Sequence, residues 1–122
     1  MIVIGCKKSI STQCLDSKIV IENRWHEENG GIDKLEVNNK SDILFICNRI
    51  KGFPQGKDIR IAYSYGDVTI SLNNQIFQAI FTYCNGVVYR VEPGKYVHDE
   101  ELTAKIIKIM GIKKRCWGED CN

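Results

Sequence analysis

His26 and His98 are the only histidines of the 122-residue chain, the only two side chains whose ordinary pKa falls near neutrality. As a pair, one base toward a ribose 2′-hydroxyl and one acid toward the leaving oxygen, they would suit a small metal-independent ribonuclease. Lys18 or Lys95 could then face the phosphorane charge. No third group stands at a fixed spacing to either ring, so this enzyme reading is kept as the alternative. His26-Glu27-Glu28 opens like the H-E-x-x-H zinc helix, but Gly30 occupies the place of the second ligand. Gly5-Cys6-Lys7-Lys8-Ser9 ends like a phosphate loop that lacks the glycine before its lysine. Lys51-Gly52-Phe53 begins like an RNA-recognition signature, and Pro54-Gln55 breaks the strand that would carry the rest. Ile59, Ile61, Tyr63 and Tyr65 alternate as a base-stacking platform would, and the inward face of a strand explains that spacing without a ligand.

The six cysteines, Cys6, Cys14, Cys47, Cys84, Cys116 and Cys121, form no C-x-x-C. Cys116 and Cys121 are loosely spaced with no histidine near them, so no metal is expected, and no cofactor motif is present. Cys47 and Cys84 fall on apolar stripes, where cysteine packs as a small hydrophobe. Met1–Cys6 is too short for a signal's apolar region, although Ile4-Gly5-Cys6 faintly echoes the end of a lipoprotein signal. It reads as a first strand. The expectation is therefore a cytoplasmic protein with six free thiols; a secreted, disulfide-rich module is the third reading.

These residues need elements to position them. Eighteen Ile and eight Val against three Ala and five Leu favour strands. Lys18–His26 alternates as a half-buried strand and Ile32–Val37 returns beside it, with Asn29-Gly30-Gly31 reversing the chain. Ile43–Cys47 reads as a buried strand, although Ser41 and Gly52 would suit the ends of a helix. Ile59–Tyr65 and Val68–Leu72 read as a hairpin turning at Gly66-Asp67. Asn73–Gly86 reads as a helix with Ile76, Phe77, Ile80, Phe81 and Cys84 on one stripe. Val87–Val91 is a strand, turned at Glu92-Pro93-Gly94 into a short return at Lys95–Val97. Asp99 opens a C-terminal helix over about 99–110, with Leu102, Ile106, Ile109 and Met110 inward and Gly111 closing it. Residues 1–122 thus form one α+β domain, a mainly antiparallel sheet with one or two helices on one face. Residues 112–122 could extend from it as a tail.

A net charge of +2 and no apolar run of membrane length argue against bulk nucleic-acid or membrane binding. What remains is binding to a protein. Charge is local: Glu27-Glu28 and Asp99-Glu100-Glu101 are acidic, while Arg49–Arg60 and Lys105–Arg115 are basic. The expected function is a cytosolic inhibitor of the bacterial immunity type, as in toxin–antitoxin pairs, that blocks the active site of a cognate toxic enzyme. A basic nuclease is the leading target. The helix dipole explains Asp99, Glu100 and Glu101 without a partner. Glu27 and Glu28 at the hairpin tip have no such role, so the expected partner-binding residues are Arg24, His26, Glu27 and Glu28.

Overall fold

A computed structural model describes residues 14–61, 63–83 and 85–113. The expected strand at Met1–Cys6, and Cys6, Cys84, Cys116 and Cys121, lie outside the described residues. So does the tail beyond Lys113.

Seven strands form one antiparallel sheet: β1 (Ile19–Asn23), β2 (Lys34–Glu36), β3 (Lys57–Asp58), β4 (Ser64–Leu72), β5 (Gln75–Thr82), β6 (Val87–Glu92) and β7 (Lys95–His98). Their order is β2-β1-β4-β5-β6-β7-β3. Three helices accompany them: α1 (His26–Asn29), α2 (Lys40–Lys51) and α3 (Glu100–Met110). Alternation decides the two faces. Ile19 and Ile21 of β1, Val68, Ile70 and Leu72 of β4, Ala79 and Phe81 of β5, and Tyr89 of β6 all point inward and are buried. They join Ile43, Ile46 and Ile50 of α2 and Leu102, Ile106 and Met110 of α3 in one core. The α+β architecture with helices on one face is thus as the pattern predicts.

Both long helices are set by their ends. Asn39 caps α2, its Oδ1 accepting from the Asp42 N–H at 3.1 Å. Asp99 caps α3, accepting from the Leu102 N–H at 3.0 Å, and Gly111 closes it in the left-handed conformation at φ 65°. Arg49 of α2 holds the same Asp99 carboxylate through two hydrogen bonds of 2.8 and 2.7 Å, and Lys105 of α3 meets Asp42 at 3.0 Å. Burial would raise the Asp99 carboxyl, but the Arg49 hydrogen bonds and the Leu102 N–H outweigh it and hold it below the usual value.

Four expectations are corrected. Ile43–Cys47 is helix: Ile43, Ile46, Cys47 and Ile50 recur at three, four and seven, and a capped helix buries all of them despite the β-propensity of isoleucine. Asn73–Gly86 is not helix. Asn73 and Asn74, at φ 50° and 73°, make a two-residue turn, and β5 returns antiparallel with Phe77, Ala79 and Phe81 inward. The stripe at helical spacing was an overlap of two strand faces. The Ile59–Tyr65 strand and Gly66-Asp67 turn are also replaced, because β4 runs through Gly66 with a bulge between Ser64 and Gly66. A side chain at Gly66 would put its Cβ 2.7 Å from the Trp25 Cβ, so glycine there serves packing and not reversal. Finally, six free thiols are not found. Cys14 and Cys47 form a disulfide with Cα atoms 5.6 Å apart, both fully buried. Cys47 does lie on an apolar helical stripe, but its partner comes from 33 residues earlier. That proximity depends on tertiary contacts and leaves no mark in the sequence.

Candidate interaction site

The chain between β1 and β2 is not a loose hairpin tip. Asn23 and Asn29 are buried and exchange amide hydrogen bonds, Asn23 Nδ2 to Asn29 Oδ1 at 3.0 Å and Asn29 Nδ2 to Asn23 Oδ1 at 2.8 Å. The Gly31 N–H donates to the same Asn29 oxygen at 2.8 Å. Gly30 ends α1 at φ 74°. The Ile32 N–H then reaches the Met110 carbonyl at 2.9 Å, and the Lys113 N–H reaches the Asn29 carbonyl at 2.9 Å, so this connection is fastened to the end of α3. Two buried amides that satisfy each other leave no polar orphan, and they fix the backbone that carries α1.

On that fixed turn Glu27 and Glu28 are exposed, and neither has an ion-pair partner among the described residues. His26 is half-buried, with Nδ1 donating to the Asn23 carbonyl at 3.3 Å. Arg24 goes elsewhere. It continues the β1 register opposite Asp67, on the face of the sheet away from the helices, with Nε 3.9 Å from the Asp67 carboxylate.

Between Arg24 and His26 the buried ring of Trp25 begins a ladder of aromatic rings. Trp25 meets Phe81 at 5.3 Å and Tyr65 at 6.1 Å between centroids. Tyr65 stacks on Tyr83 at 4.0 Å, and Tyr63 meets Tyr83 edge to face at 6.4 Å. Burial, and secondarily the neighbouring Tyr83, push the Tyr65 phenol above its usual pKa. Tyr63 is 73% exposed and Tyr83 46% exposed. A line of four rings therefore runs from the core to water. The bulge at Tyr65 and the absent side chain at Gly66 let Trp25 sit beneath it. The signal in the sequence is Tyr63-x-Tyr65-Gly66, whose alternation also fits an inward strand face; Tyr83 carries no signal, because its segment has helical spacing.

His98 ends β7, with Nε2 donating to the Asn85 carbonyl at 2.7 Å. Three strands separate β7 from β1, an offset of about 19 Å at ~4.8 Å per strand spacing, and His26 lies beyond β1 in α1. The two histidines are not brought together. No group of three metal-binding side chains occurs among the described residues, and none of the described helices is long and apolar enough to cross a membrane. Comparison with family models, with curated proteins and with solved structures finds no match.

Proposed function

We propose that this protein works by binding another protein, as an inhibitor of the immunity type, through the exposed outer end of the tyrosine ladder, with the exposed carboxylates of α1 as a further contact. The carrying observation is the exposure of Tyr63 and Tyr83 on a ladder anchored by buried Trp25. Large exposed aromatics on a rigid support are the usual anchors of protein interfaces, where tyrosine, tryptophan and arginine dominate binding energy. Tyrosine faces attract cations, as do the exposed carboxylates of Glu27 and Glu28, which fits a basic partner such as a nuclease whose phosphate-binding surface is covered. The target remains part of the proposal. The Cys14–Cys47 bridge favours an oxidising compartment over the cytosol expected from sequence, since disulfides persist where thiols are not kept reduced.

The test starts from tagged protein copurified from its native cells and the retained partner identified by mass spectrometry. Affinity is then measured with purified components. Tyr63→Ala/Tyr83→Ala should weaken the complex at least ~30-fold, the effect of losing one interface hot spot of about 2 kcal/mol. Glu27→Ala/Glu28→Ala should slow association and make its rate less sensitive to salt. Binding unchanged in both variants would refute the reading.

A further inference from the structure

The face of the sheet opposite the helices carries a basin of about 560 Å³, unconnected with the ladder. Its floor is one register row. Glu22, Thr69, Gln78 and Arg90 stand side by side on β1, β4, β5 and β6, all pointing away from the core. Arg24 rises beside Glu22, and Glu92 beyond Arg90. We infer that this basin is a binding site for a neutral saccharide.

Charge is the first argument. Two guanidinium groups, Arg24 and Arg90, and two carboxylates, Glu22 and Glu92, line the basin, so its own lining sums to zero, with the Asp67 carboxylate behind it 3.9 Å from Arg24. A phosphate or a polyanion would gain at one residue what it loses at the next, and so would a cation. Glu22, Arg90 and Glu92 have no ion-pair partner among the described residues, and Arg24 reaches Asp67 only at 3.9 Å. Their hydrogen-bonding capacity is open to a ligand.

Hydrogen-bond chemistry is the second. Guanidinium groups only donate and carboxylates only accept, each through a planar fork, while the Gln78 amide and the Thr69 hydroxyl do both. A ligand that satisfies all of them must present many groups that both donate and accept. Neighbouring hydroxyls of a sugar ring do so, and a planar fork can engage two of them at once. Exposed Ile76, with Pro93, supplies the apolar surface against which the C–H face of such a ring rests. Position is the third. The floor residues lie on four consecutive hydrogen-bonded strands, and Gln78 is held by its Nε2 donating to Asp67 at 3.1 Å, so the backbone of the floor and the Gln78 side chain are in place before a ligand arrives. The basin's size lies within the range of ordinary small-ligand sites, ~300–1,000 Å³.

The experiment is a titration of the isotopically labelled, oxidised protein followed by amide NMR shifts. The probes are cellobiose, maltose and N,N′-diacetylchitobiose, beside sodium phosphate, sodium glutamate and glycine. At least one disaccharide should shift the amides of Glu22, Thr69, Gln78 and Arg90, with little change between low and high salt. Arg90→Ala, an exposed change checked to melt like the wild type, should weaken that response at least ~5-fold. Three results would overturn the inference: no response to any disaccharide, a basin response to phosphate, glutamate or glycine instead, or a saccharide response located elsewhere. None of these bears on Tyr63 and Tyr83, so the partner reading stands or falls separately.

Discussion

Two aromatic surfaces of this protein are treated differently. Phe45 on α2 is half-buried and covered by the chain's own cations, with the Arg49 guanidinium 5.9 Å and the Lys105 ammonium 5.5 Å from its ring centre. Those cations are themselves tied to Asp99 and Asp42. Tyr63 and Tyr83 instead reach water, and no cation lies over either ring among the described residues. The first arrangement is complete within the fold. The second leaves the outer rings exposed, and this contrast is the physical basis for proposing the ladder as a partner-binding surface and for assigning the α2–α3 contact to stability.

The contrast can be broken most severely on the α2 side. Reducing the Cys14–Cys47 bridge, or Cys47→Ser, reopens a loop of 33 residues in the unfolded chain and should cost about 3–4 kcal/mol. Thermal melting with and without reductant should differ by roughly 10–15 °C. Equal melting temperatures would show that the bridge adds nothing. Next comes Gly66→Ala, which drives a methyl group into the Trp25 ring. It should cost about 2 kcal/mol and change the near-ultraviolet dichroism of the stacked aromatics, because the ladder is displaced along with its anchor.

Asp99→Ala removes the cap of α3 and the two Arg49 hydrogen bonds, and denaturant unfolding should register a loss of about 1–2 kcal/mol. Its pH dependence has a definite sign. The folded carboxyl titrates below its ordinary 3.8, so its contribution is fully present above that pH and is lost as pH falls through the lower folded value. The acid limb of the stability curve should therefore be shallower in Asp99→Asn, and an identical limb would remove Asp99 as its source.

The same contrast explains what the sequence revealed. The α3 helix was legible because Asp99, the inward stripe and Gly111 all act locally, within one element. The β6–β7 pair was legible for the same reason, through its Pro93-Gly94 turn. The α2 and β5 assignments were exchanged because both segments mix isoleucine and phenylalanine at spacings that fit either period, and only tertiary contacts choose between them. Glu27 and Glu28 were rightly read as exposed. The support beneath them was not visible, since an Asn23–Asn29 amide pair and a clasp to the end of α3 depend on contacts distant in sequence. The ladder was hidden for the same reason: Trp25, Tyr65 and Tyr83 come from three separate segments, and a bulge at Tyr65 that no pattern announces aligns them.

The smallest expected effect on folding belongs to the residues with the largest expected effect on binding. Tyr63→Ala/Tyr83→Ala removes exposed rings and should change unfolding free energy by no more than about 1 kcal/mol. The measurement that tests the account most directly is the dissociation constant of this double variant for the copurified partner, taken beside its melting curve. The account predicts near-native melting with affinity lowered at least ~30-fold. Unchanged affinity, or a loss of affinity matched by loss of the fold, would contradict it.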